Sequence, residues 1–114
     1  MVERETLRVL VVDMDAGVRS VVEDLLFDRG FEVRQAANQE FAVLELRQRV
    51  FDVLLCHLSL LRSAPLQRCA QELRPTLWIT AMSASGARAR REEADANLAK
   101  PFTRLELVTS LRPL

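Results

Sequence analysis

Four side chains that could do chemistry together are spread over most of this 114-residue chain. They are Asp13, His57, Thr80 and Lys100, and each follows or ends a short apolar run. A carboxylate, an imidazole, a hydroxyl and an ammonium in one place can bind a metal ion, move a proton or hold a phosphoryl group. His57 is the only histidine and Lys100 the only lysine, so what the protein can do depends on whether the fold brings these groups together.

The elements that must position these side chains alternate between strand and helix patterns. Apolar runs or alternations typical of strands occupy residues 7–12, 31–34, 53–58, 76–80 and 97–99. Helical spacing follows each of them, over residues 18–26, 63–73, 87–94 and 103–111 and in a segment that Asn38 can cap. The segment after Asn38 is expected to turn Phe41 and Leu44 inward, and a capping box from Thr103 to Glu106 opens the last helix.

Five β-α units predict an α/β fold, in which a parallel sheet carries helices on both faces. The length suits one (βα)5 doubly wound domain over residues 1–114. In such sheets, sites form beyond the carboxyl ends of the strands. Six side chains are therefore expected at one edge of the sheet, namely Asp13, Met14, Asp15, His57, Thr80 and Lys100.

Composition excludes several classes of function. The formal net charge is zero, which argues against a nucleic-acid binder. The two cysteines form no C-x-x-C pair, only three glycines are present and no phosphate-binding G-x-G-x-x-G or P-loop occurs. No charged-then-apolar leader and no membrane-length apolar segment is seen, so we expect a soluble, cytoplasmic domain that does not bind a membrane.

Four short motifs resemble those of one family, in order and on the ends of the expected strands. They are LRVLVVDMD at the first strand, FDVLL at the third, WITA at the fourth and KPFT after the fifth. Over essentially its whole length, the chain resembles the receiver domains of response regulators in bacterial two-component signalling. The resemblance implies a flavodoxin-like fold with strand order 2-1-3-4-5.

The resemblance also implies a site, and this chain departs from it. In the family, two acids after the first strand hold Mg²⁺, an aspartate ending the third accepts a phosphoryl group, and a Thr or Ser ends the fourth. A lysine then precedes a proline, usually through a cis bond, and an aromatic switch residue lies three positions before that lysine. Here Asp13, Thr80 and Lys100 match. The departures are Met14 at the second acid, His57 at the phosphoacceptor and Asn97 at the switch.

These departures predict a pseudo-receiver without catalysis, cofactor or metal. Mg²⁺ needs hard oxygen ligands, and neither a thioether nor an imidazole supplies one. The leading interpretation is that His57 fills the acceptor position and bonds Asp13, Thr80 or the backbone, while Lys100 pairs with Asp13. The alternatives are a transition-metal site of His57, Asp13 and Asp15, a competent phosphorelay receiver in which His57 takes the phosphoryl group, and a pH switch.

Arginines predict where a protein partner binds. In receivers, the face built from the fourth helix, fifth strand and fifth helix meets partners. The residues expected there are Arg88, Arg90, Arg91, Phe102 and Arg104. Opposite charge on the first helix, from Glu23, Asp24 and Asp28, makes a head-to-tail homodimer conceivable.

Overall fold

Strands and helices alternate along the residues that this computed structural model describes, which are 6–27 and 29–111. The strands are β1 (Leu7–Val12), β2 (Phe31–Ala36), β3 (Val53–His57), β4 (Trp78–Ser83) and β5 (Ala96–Ala99). The helices are α1 (Ala16–Leu26), α2 (Gln39–Gln48), the single turn α3 (Leu58–Leu61), α4 (Ala64–Glu72) and α5 (Arg104–Ser110). Asp28, one of the acids proposed to favour a homodimer, lies outside the described residues.

All strand pairings in the sheet are parallel, in the order β2-β1-β3-β4-β5. The predicted fold class and strand order are therefore confirmed. β1 and β3 lie inside the sheet, and four residues of each strand are buried, as expected of parallel strands that are covered on both faces.

Two apolar layers enclose the sheet. One layer packs Val22 and Leu26 of α1 and Leu107 of α5 against the first face. The other packs α2, α3 and α4 against the second face, with Leu66 of α4 wholly buried. None of the described helices is both long and apolar enough to cross a membrane.

Local sequence explains where the helices begin. The Asp15 carboxylate accepts a hydrogen bond from Gly17 N–H at 2.8 Å, and Asn38 Oδ1 accepts one from Phe41 N–H at 2.9 Å. Thr103 and Glu106 form the predicted capping box. Pro65 lies in the first turn of α4, where its missing N–H costs nothing.

The apolar face of α2 differs from the prediction. Phe41 is 58% exposed and Leu44 49%, whereas Ala42 and Leu46 are buried. The small Ala42 lets the helix backbone approach the sheet, and the pair four residues apart, not the larger side chains, lies on the inner face. Large apolar residues therefore remain on the outer surface of this helix.

The predicted helix over residues 87–94 is absent, and residues 84–95 instead form an irregular connection with a single turn near Arg90. We call residues 84–95 the arginine strap. Its apolar content is limited to alanines, so a helix there would bury little surface to offset the cost of ordering it. Gly86 adopts a positive φ of 80°, which breaks helical geometry near the start of the strap.

Candidate functional site

Asp13 lies just beyond β1, almost fully buried at 4% exposure. Its Oδ2 is 2.6 Å from Lys100 Nζ, so the ion pair expected from the sequence is present. Its Oδ1 accepts a hydrogen bond from Asp15 N–H at 2.9 Å. The carboxylate is thus held between one ammonium and one backbone donor, and its charge is balanced within the site.

His57 ends β3 beside this ion pair. Its Nδ1 lies 3.1 Å from Lys100 Nζ and 3.8 Å from Asp13 Oδ2. A lysine ammonium only donates hydrogen bonds, so Nδ1 must accept here and the ring proton must lie on Nε2. The geometry therefore favours a neutral imidazole that bonds Lys100, a partner that the sequence did not suggest for it.

Met14 and Asp15 do not provide the ligands of a metal site. Met14 is 68% exposed, and its thioether is a soft ligand where a carboxylate would be required. The Asp15 Oδ1 atom caps α1 through Gly17. Within residues 6–27 and 29–111, no three His, Cys, Asp or Glu side chains come together in a way that could hold a metal ion.

The residues at this edge do not fit Mg²⁺. The buried acid already has an ammonium at 2.6 Å, the position of the second acid carries Met14, and the position of the phosphoacceptor carries an imidazole. A hard divalent cation needs several oxygen ligands in near-octahedral geometry. Of the two carboxylates at this edge, Asp13 is paired with Lys100 and Asp15 caps α1.

The structure corrects the placement of Thr80. β4 runs on to Ser83, so Thr80 lies inside the strand, fully buried, and its Oγ1 donates to Ser110 O of α5 at 2.5 Å. Ser83, paired in register with Ala99, ends β4, and its carbonyl accepts from Lys100 N–H at 2.9 Å. Ser83 is therefore the hydroxyl residue at the site edge, and the Ser83-Ala84 pair after Met82 is the signal that could have identified it.

Asn97, at the expected switch position, holds the arginine strap. Its Oδ1 accepts from Ala89 N–H at 2.8 Å and its Nδ2 donates to Ala89 O at 3.2 Å. Both polar ends of the amide are used on one residue, as in a strand pairing. The side chain at this position thus fixes β5 to the strap, a task that needs no movement.

The residues predicted to form one partner face are divided between two parts of the molecule. Arg88 and Arg91 belong to the strap, which packs through Ala89 and Ala94 onto the α2 and α4 side of the sheet. Phe102 is half-buried against the opposite apolar layer. Arg104 Nε donates to Leu25 O of α1 at 3.2 Å. The prediction of one continuous face is therefore corrected: residues 87–94 form no helix, and Arg104 contacts α1.

The lysine that completes the site is followed by a cis bond to Pro101, as the resemblance implies. Cys56 precedes His57 in β3. Burial, with a smaller effect from the Asp13 charge, raises the pKa of the Cys56 thiol well above its usual range. Cys56 and Cys69 are both buried and unpaired, which fits two core thiols.

Comparison with solved structures identifies the family. No protein-family model matches the chain. A protein assigned as a response regulator from Chloroflexus aurantiacus is 30% identical, with a TM-score of 0.75 over 91% of this chain and 93% of that one. The chemotaxis response regulator CheY4 of Vibrio cholerae is 23% identical, with a TM-score of 0.75 over 91% and 94% of the two chains.

A third structure carries a magnesium ion in its active-site cleft. It is the receiver domain of the sensor histidine kinase PA1611 from Pseudomonas aeruginosa, 24% identical with a TM-score of 0.75 over 91% of this chain and 93% of that one. The Vibrio and Pseudomonas structures show the shared fold. At 30% identity over nearly the whole of both chains, the Chloroflexus protein shows that this chain belongs to the receiver domains of two-component response regulators.

Proposed function

We propose that this chain is a pseudo-receiver, which binds a protein partner in a bacterial signalling pathway without being phosphorylated. The proposal assigns it no catalytic step and no cofactor, and places it in the cytoplasm. The observation that carries the proposal is the cluster of Asp13, Lys100 and His57, in which the Lys100 ammonium is shared between the Asp13 carboxylate and His57 Nδ1.

Electrostatics supports the proposal. A phosphoacceptor carboxylate beside two further acids would carry excess negative charge, which a divalent cation relieves. In this chain one carboxylate faces one ammonium and a neutral imidazole. The cluster has no unbalanced charge that would draw in Mg²⁺, and no carboxylate in the place from which an acyl phosphate would form.

The hydrogen bonds of Thr80 and Asn97, the two residues at the family's coupling positions, support the proposal as well. The Thr80 hydroxyl is bound to Ser110 O, and the Asn97 amide is bound on both sides to Ala89. A ligand shifts a conformational equilibrium only through different affinities for two states. With neither a phosphoryl group nor a movable aromatic, partner binding would be constitutive.

Intact-mass measurement tests the proposal. The protein is incubated at neutral pH with Mg²⁺ and acetyl phosphate, and its mass is measured without acid treatment, beside a His57→Ala variant. We expect the mass to remain unchanged in both. A phosphoryl adduct of about 80 Da on the parent that is lost in His57→Ala would contradict the proposal and favour the alternative of a phosphoaccepting histidine.

A further inference from the structure

The arginine strap sorts its charges between an inner and an outer side. Its sequence is formally neutral, with three arginines balanced by Glu92, Glu93 and Asp95. Glu93 lies inward, with its two carboxylate oxygens 2.7 and 2.9 Å from the Arg62 guanidinium. Asp95 is likewise 2.8 Å from Arg74. Because these acids are used against the body of the domain, the outer side of the strap is left positive.

Two of the three arginines of the strap have no side-chain partner among the described residues. Arg88 and Arg91 are exposed, and their side chains make no ion pair or hydrogen bond with any described residue. Arg90 has Glu92 at 3.8 Å, with both side chains more than 70% exposed (76% and 78%). A pair so exposed contributes little. Three guanidiniums are therefore available within four consecutive residues.

Hydrogen bonds on the inner side of the strap hold the backbone that carries these arginines. Four backbone carbonyls of the strap accept hydrogen bonds from long side chains in or beside α4. Arg62 binds Arg88 O at 3.3 Å, Arg74 binds Arg91 O at 3.2 Å and Glu92 O at 2.8 Å, and Gln71 binds Glu93 O at 3.1 Å. With the carbonyls held inward, the arginines are presented outward on a preorganised segment, which lowers the entropy lost on binding.

The chemistry of the outer side fits carboxylates better than a nucleic-acid backbone. Guanidinium groups bind carboxylates and phosphates alike in a two-point geometry, so the surrounding charges decide between the two. A polyanionic backbone would also meet the exposed Glu92 within the strap, and the chain has no net positive charge to attract it. A short acidic peptide can place its carboxylates on Arg88 and Arg91 while leaving Glu92 in solvent.

We propose that the arginine strap is the docking surface for an acidic segment of a partner protein, and that Arg88 and Arg91 supply most of the affinity. This inference rests on the proposed function and names the chemistry of the partner. It moves the docking surface from the family's helical face to residues 88–91 of an irregular strap, and it excludes Arg104, which is engaged with Leu25.

Fluorescence anisotropy tests the inference with the full chain. The probe is a fluorescein-labelled peptide of about twelve residues, rich in Asp and Glu, and its control is the same peptide with Asn and Gln. The strap variant is Arg88→Gln with Arg91→Gln. The matched control variant is Arg29→Gln with Arg47→Gln, two exposed arginines on other parts of the surface. Circular dichroism confirms that all variants are folded.

We expect the acidic peptide to bind the parent and the control variant alike, and the strap variant about tenfold more weakly. Binding should fall as salt is raised. Equal weakening in the two variants, or equal binding of the neutral peptide, would overturn the inference. Tighter binding of a single-stranded DNA oligonucleotide through the same arginines would also overturn it.

Repeating the titration with acetyl phosphate and Mg²⁺ separates this inference from the proposed function. Strap-dependent binding that appears only with the phosphodonor would contradict phosphorylation independence and still support the strap as the docking surface. Absence of strap-dependent binding in both conditions would overturn the inference and leave the mass measurement to decide the proposed function.

Discussion

The neighbours of His57 explain why two substitutions, and not one, separate this site from a metal-binding receiver. The imidazole accepts from Lys100, which in turn donates to Asp13. Replacing the imidazole by a carboxylate would restore the acceptor group but would leave Met14 where a second acid is needed. A single restored acid would compete with Asp13 for the same ammonium.

We therefore expect Mg²⁺ binding to be restored only when both His57 and Met14 are replaced by aspartate. His57→Asp alone should not create Mg²⁺ binding, whereas His57→Asp combined with Met14→Asp should, because only the pair supplies three hard oxygen groups. Without metal, the double variant should melt below the parent, since three carboxylates face one ammonium. Saturating Mg²⁺ at 100 times Kd should then return about 2.7 kcal/mol of stability.

Calorimetric titration and thermal melts of the parent and both variants check this prediction. The parent serves as the control and should show no Mg²⁺-dependent shift in melting temperature. Tight Mg²⁺ binding by the parent, or by His57→Asp alone, would mean that the exposed Met14 is not what keeps the ion out.

Residue-level sequence analysis identified the site edge but not its register in β4. Asp13 and His57 could be placed because each immediately follows a run of large apolar residues, and Lys100 because it opens the KPFT motif after the short fifth strand. Thr80 was misplaced because a strand buried on both faces tolerates a hydroxyl that finds a partner, here Ser110 O. The sequence alone cannot show that partner, so Ser83 was overlooked.

At the scale of elements, the arginine strap depends on an ion pair that crosses from α3 to the strap. The side-chain hydrogen bond from Arg62, followed by the backbone N–H of Arg90, lowers the pKa of Glu93 from 4.5 to about 2. A folded-state pKa below the ordinary value means that the bond stabilises the fold above about pH 4.5 and ceases to do so as the pH falls toward 2.

Glu93→Gln should therefore lower the free energy of unfolding at pH 7 by about 1–2 kcal/mol, a modest loss because Arg62 is partly exposed to solvent. Between pH 4.5 and 2, the parent should lose more stability than the variant, since the variant has no carboxylate to protonate at this position. Urea unfolding across this pH range measures both quantities.

Glu92→Gln provides the matched control, because Glu92 is adjacent but largely exposed. It should leave both the stability at pH 7 and its pH dependence close to those of the parent. A parent and a Glu93→Gln variant with parallel pH profiles would show that this ion pair does not hold the strap.

The absence of a helix over residues 87–94 also shows what pattern analysis cannot determine at this scale. Residues 87–94 have helix-forming residues at suitable spacing, but apart from Ala89 and Ala94 their inward contacts are polar. Arg62, Gln71 and Arg74, far away in sequence, take up the carbonyls that a helix would bond internally. The strands were predictable because their own side chains are apolar; the strap was not, because its conformation is specified by other segments.

At the scale of the whole molecule, β5 and the hydrogen bonds of Asn97 connect the site to the strap. Lys100 leads back along β5 to Asn97, and Asn97 is bonded twice to Ala89 in the strap. A path therefore exists between His57 and Arg88. Under the proposed function, we expect this path to have no element with two alternative positions, which coupling between sites requires.

NMR relaxation dispersion should accordingly detect no millisecond exchange shared by residues near His57 and residues around Asn97. Asn97→Phe puts an aromatic ring at the switch position and removes both hydrogen bonds between the Asn97 side chain and Ala89. We expect this variant to show exchange in the strap. Shared exchange in the parent would indicate a working switch and would contradict the constitutive mode of binding.

The pairing of Asp13 with Lys100 has a consequence for synthesis of the chain, because the two residues are 87 positions apart. A ribosome releases the acid long before it releases the base. Until β5 and Lys100 emerge, closing β1 into the sheet would bury a carboxylate that has no counter-ion. We therefore expect the nascent domain to remain short of its compact state until all five described strands have been synthesised. Proteases should therefore cleave any fragment that ends before Lys100 faster than they cleave the full chain.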